Sequence, residues 1–209
     1  MKFLLGLIVG LLILPIAGFL YFQFGNPPVA VADTPFPYEK QIVHIPLNAR
    51  IHRDMPHTVP IEATPANLLA GAQIYHDQCA ECHGVYGHAT DYAAHMYPPA
   101  PQLWWPHPWN PKVVGVSDDP PGVTYWKVAN GIRLTGMPSF DHVLSPTQMW
   151  QVTLLVKHAD SPLPPAVLSI LQKPIGNTST APLKTPNVPP MSMPAAPATA
   201  KTGKTGKKK

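Results

Sequence analysis

A chain of 209 residues has room for one ordinary domain with additions, and its 29 prolines exclude continuous helix or central strand over much of that length, so extended segments are expected around a compact core. The net charge of +4 is split: residues 33–160 hold seven Lys or Arg against all eleven acids, whereas seven lysines and no acid follow Asp160. The basic balance belongs to a C-terminal segment without aromatic residues, and a nucleic-acid partner is not expected.

The chain opens with "MKFLLGLIVGLLILPIAGFLYFQFG", in which Lys2 precedes an uncharged run from Phe3 to Tyr21. That length suits a bilayer-crossing helix over residues 1–25, because the apolar core of a cleaved signal is shorter, about 7–15 residues. Lys2 on the short side favours a cytoplasmic N-terminus and an exported body. The rival reading is cleavage after Ala32, in Ala30-Val31-Ala32, and it exports the body as well.

Residues 26–63 read as an extended, proline-rich arm, with Ile42-Val43-His44-Ile45 as a short strand or a stretch draped on the core. Residues 64–160 form the compact domain. Thr64 and Pro65 are an N-cap and a first helical residue, and Leu68, Gly71 or Ala72, and Tyr75 recur on one helical face. Gly71, costly inside a helix, predicts a close approach by another backbone. A shorter helix is expected over 122–131, stopped by Gly131. Ser145-Pro146-Thr147-Gln148 is a capping box opening a last helix that carries Trp150, Leu154 and Lys157. Residues 161–209 read as a Pro/Ala/Lys-rich tail, flexible from about Lys173.

The only two cysteines lie in "CAECHG". A redox disulfide between Cys79 and Cys82 usually comes with alternating strands and helices, which this sequence does not offer. Zinc needs four ligands, and no second closely spaced pair exists. Cys-X-X-Cys-His closing a helix needs nothing further to be a c-type haem attachment site, with His83 beneath the iron.

With "GAQIYHDQCAECHG", "YPPAPQL", "YWKVANGIRLTGMPSF" and "LSPTQMWQVTLLVKHA" in this order, residues 64–160 resemble a class I cytochrome c. The nearest likeness is to membrane-anchored bacterial monohaem forms. The resemblance implies an all-α fold of three or more helices around one covalently attached haem c. It implies thioethers at Cys79 and Cys82, and a helix crossing built from Gly71, Tyr75 and Trp150. The Pro101 carbonyl would take the Nδ1 proton of His83, with Pro98 and Pro99 as alternatives.

For the iron's other face, Met137 lies in a Gly-Met-Pro turn after the third helix, the family's frequent ligand loop, and His83 and Met137 are the expected axial pair. Met96, His95, His107 and His142 are the competitors. Leu103, Trp104, Trp126, Ile132 and Phe140 are candidates for an apolar wall, and Arg133 and Thr135 for the propionates. Met191 and Met193 are weak candidates for copper. Trp104, Trp105 and Trp109 either cover the haem or face a partner.

Two filled axial positions imply an electron carrier rather than an enzyme. The expectation is a single-pass protein of the bacterial cytoplasmic membrane with its haem domain on the periplasmic side, serving a redox donor and acceptor. The lysine-rich tail is expected to meet anionic lipid. The rivals are a cytochrome subunit of a dehydrogenase or oxidase complex, and a haem enzyme or gas sensor with an open sixth site.

Overall fold

A computed structural model describes residues 2–176 of the chain. Its helices are α1 (Lys2–Phe24), α2 (Glu39–Asp54), α3 (Pro65–Gln78), α4 (Ala80–His83), α5 (Asp91–Ala94), α6 (Pro121–Asn130), α7 (Pro146–Lys157) and α8 (Pro165–Leu171). Strands β1 (Pro106–His107) and β2 (Asn110–Val114) pair as one small antiparallel hairpin between α5 and α6. The fold is mostly helical, and α1 is long and apolar enough, by length and composition, to cross a membrane.

The core is the crossing of α3 and α7. A side chain at Gly71 would run into the backbone carbonyl of Gln151 and approach Leu155 Cβ to 3.2 Å. Only glycine lets the two backbones come this close. Beside it, Gln151 Nε2 donates to Asn67 Oδ1 at 3.0 Å. Tyr75, Ala72 and Leu155 are fully buried. Both helices begin on their own side-chain caps: Thr64 accepts from Asn67 N, and Ser145 exchanges bonds with Gln148 in a complete capping box. Helix α6 lies against α7 with Tyr125 stacked on Trp150, ring centroids 4.3 Å apart. Trp150 therefore braces α6, while Gly71 makes the α3–α7 crossing.

Two segments differ from the sequence expectations. The arm is not extended throughout: Ile42–Ile45 lies within α2, despite its β-branched residues and Pro46. The cause is tertiary. Ile51 is 2% exposed, and Gly122 at the start of α6 leaves room for the Pro56 carbonyl packed on it. Glu39 in the first turn and the Arg50–Asp54 pair one turn apart add local support. At the other end, the domain does not stop at Asp160. Helix α8 packs on α3 with Val167 and Leu171 fully buried, and the Leu171 carbonyl accepts from Tyr86 N at 3.0 Å. The tail expected beyond, with Met191, Met193 and six of its seven lysines, lies outside the described residues.

Candidate functional site

Helix α3 hands directly to a single turn, α4, at Cys79. Cys79 N donates to Tyr75 O, while Cys82 N and His83 N both turn back to Cys79 O at 3.2 and 2.9 Å. This turn places both thiols and the imidazole on one cavity, which Met137 also lines. The chain then leaves sharply through Gly84, whose φ of 76° falls in the left-handed region. The buried Tyr75 hydroxyl donates to the Gly84 carbonyl at 2.7 Å, fastening the turn to the helix that precedes it.

His83 is oriented from behind. Its Nδ1 is 2.8 Å from the Pro101 carbonyl, which can only accept, so Nδ1 carries the proton and Nε2 keeps its lone pair. Burial pushes the imidazole pKa down, opposed by the bond to Pro101, so the neutral, ligating form is favoured. Gln102 holds the Pro101 segment in place: its Nε2 donates to Cys82 O at 3.1 Å and Ala100 O at 3.2 Å, and its Oε1 accepts from Thr90 N. Leu103 N completes the cross-link by donating to His83 O at 3.2 Å. Cys79 and Cys82 are not joined in a disulfide. Burial, with Cys82 nearby, pushes the Cys79 thiol up to about 12. Burial likewise raises Cys82, with Glu81 adding to it.

Met137 comes from the loop after α6. Gly131 ends that helix at φ 65°, and a Cβ there would stand 2.7 Å from Pro138 C. Thr135 Oγ1 donates to Ile132 O at 2.7 Å and accepts from Met137 N at 3.1 Å. Met137 O accepts from Ile132 N at 3.2 Å. Thr135 thus lines the cavity with its hydroxyl committed to the loop.

Of the expected wall, Leu103, Ile132 and Phe140 line the cavity. Trp126 and Arg133 do not. Helix α6 turns Thr124, Lys127 and Val128 inward at i, i+3 and i+4, which puts Trp126 on another face, and Arg133 is exposed. Trp104 is buried behind the wall, edge-on to Tyr75 with centroids 5.5 Å apart. Trp105 and Trp109 are exposed. His95, His107 and His142 stay off the cavity; His107 Nε2 instead lies 2.6 Å from the Gly115 carbonyl. Met96 does line it, as do Lys127 and Thr124, and sequence reasoning had no local signal for the last two.

This donor set fits haem c: two cysteine sulfurs one turn apart and not joined in a disulfide, a neutral imidazole with its second nitrogen held, a thioether, and largely apolar walls. Among the described residues, no group of three or more His, Cys, Asp or Glu is gathered for a bare metal ion. A search of curated proteins finds no match to the chain. Residues 66–155 match the family model described as cytochrome c oxidase, cbb3-type, subunit III. That match runs from α3 through most of α7, the helices that build the cavity, and identifies this part of the chain as a class I c-type cytochrome domain with covalently attached haem as its cofactor.

Proposed function

We propose that this protein is a membrane-tethered electron carrier with one haem c, attached through Cys79 and Cys82 and ligated by His83 and Met137. A c-type cytochrome domain works by haem-based electron transfer; the ligand pair, the tether and the compartment are the finer reading offered here. The observation that carries it is the convergence of Cys79, Cys82, His83 and Met137 on one cavity, with the Pro101 carbonyl holding the His83 ring.

When bound, the haem supplies a one-electron ferric/ferrous couple. Around it, the cysteine sulfurs fix the macrocycle and Pro101 holds His83 in the tautomer that ligates through Nε2. The Met137 thioether, a neutral and soft ligand, favours the ferrous state and raises the potential. Val128, Ile132, Phe140, Val152 and Val156 exclude water and keep the local dielectric low. In this reading α1 holds the domain at the cytoplasmic membrane, on its periplasmic side, and the lysine-rich tail contacts anionic lipid.

The test is optical. A near-infrared methionine-to-iron band is expected in the ferric protein, with little carbon monoxide binding in the ferrous state. Met137→Ala should lose the band and bind carbon monoxide. A wild-type protein that is high-spin and binds carbon monoxide readily would instead make it an enzyme or sensor with an open site. The family match favours a second reading, a cytochrome subunit held in an oxidase complex. Co-purification of oxidase subunits from native membranes would establish it, whereas isolation as a lone, reducible cytochrome supports the carrier. For the tail, deleting residues 173–209 should weaken binding to anionic vesicles; unchanged binding rejects lipid contact.

A further inference from the structure

Met96 lines the same cavity as Met137, although it lies about forty residues earlier in the loop after α5. Its partner there is Gly136, the residue before Met137. A Cβ on Gly136 would run into Met96 Cε, with Sδ 3.9 Å away, and no other neighbour lies within reach. Gly136 therefore leaves a notch in the ligand loop, and the Met96 methyl occupies it. An unbranched thioether with three rotatable bonds suits such an irregular space.

The Met96 loop is in turn braced from outside. The next residue, Tyr97, has its phenol beside the carboxylate of Glu39, the first residue of α2; burial and this carboxylate both raise the phenol's pKa. Glu39 also accepts from Phe36 N at 2.9 Å. The far end of α2 is seated on α6 through Ile51 and the Pro56 carbonyl at Gly122. Helix α2 thus bridges two cavity walls, the one carrying Met96 and the one carrying Lys127 and Val128.

We propose that Met96 is a positioning residue for Met137: seated in the notch at Gly136, it holds the ligand loop against the haem cavity, and Glu39 and Tyr97 keep it seated. This rests on Met137 being the sixth ligand. Met96 acts by packing and makes no bond to iron.

The experiment uses the full-length holoprotein in detergent, reading the ferric near-infrared band and the rate at which imidazole displaces the methionine. Met96→Ala should speed imidazole binding by about tenfold, and Met96→Leu, which restores most of the volume, should return it close to wild type. Gly136→Ala expels the methyl from the other side and should reproduce Met96→Ala. Tyr97→Phe and Glu39→Gln should keep the wild-type band and speed binding by only about two- to threefold, because the contact is partly exposed. Wild-type rates in both Met96→Ala and Gly136→Ala overturn the proposal. So does a band that survives in Met137→Ala and vanishes in Met96→Ala, since Met96 would then be the ligand. A wild-type protein without the band defeats the His83/Met137 reading itself, an outcome visible before any variant is made.

Discussion

The two sides of the cavity are built differently. His83 sits in a web of bonds that cross long stretches of chain: Nδ1 to Pro101, Gln102 to Cys82 and Thr90, Leu103 to His83, and Tyr75 to Gly84. Met137 sits in a short loop whose bonds are local, among Ile132, Thr135 and Met137 itself. That loop also contains Leu134 in the left-handed region at φ 62°, 90% exposed. A non-glycine residue there costs about 1–2 kcal/mol. The His side is held by bonds that reach across the chain, whereas the Met side depends on a strained turn and on what packs against it. With His83 and Met137 as the proposed iron ligands, loss of Met137 should therefore precede loss of His83 under mild stress.

Substitutions on each side sharpen or break this contrast. Gly131→Val is expected to have the largest effect, about 2–4 kcal/mol of stability by denaturant unfolding. It forces a β-branched residue to φ 65° and meets Pro138 C at 2.7 Å. Tyr75→Phe, on the His side, strands a buried carbonyl and should cost about 1–3 kcal/mol while leaving imidazole access to the iron unchanged. If it opens the site to imidazole, the two sides are not independent. Thr135→Val should cost only about 1 kcal/mol, but should speed imidazole binding because Met137 N loses its acceptor. Leu134→Gly is the smallest and has the opposite sign. Relief at φ 62° should stabilise by about 0.5–1 kcal/mol, read as a raised unfolding midpoint.

What could be read from the sequence was local or left a mark at its own position. Thr64 and Ser145 announce their helices because a cap acts within one turn. Gly71 signalled a crossing because a helix keeps an interior glycine at a cost. The Cys79–His83 run needs only its own spacing to suggest haem. The unread parts depend on contacts between distant segments. Helix α2 has a proline and β-branched residues where an extended arm, with a short strand or a stretch draped on the core, is expected, and docking at Ile51 and Gly122 decides otherwise. Helix α8 is short and flanked by prolines, and only burial of Val167 and Leu171 against α3 makes it part of the core. Met96 was one competitor among several, because nothing in its own loop reveals the notch at Gly136.

Helix α2 also sets a length. Had residues 26–63 been one unstructured arm, the leash between anchor and domain could have extended to about 130 Å. With α2 docked on α6, only residues 25–38 remain between the end of α1 and the docked helix, a span of about 50 Å fully drawn out. Asp33 shortens it further by folding back onto the amides of Val29 and Ala30, both at 2.8 Å. With α1 in a bilayer, the haem would sweep a shallow zone near the membrane surface, and partners deep in the surrounding compartment would have to come to it.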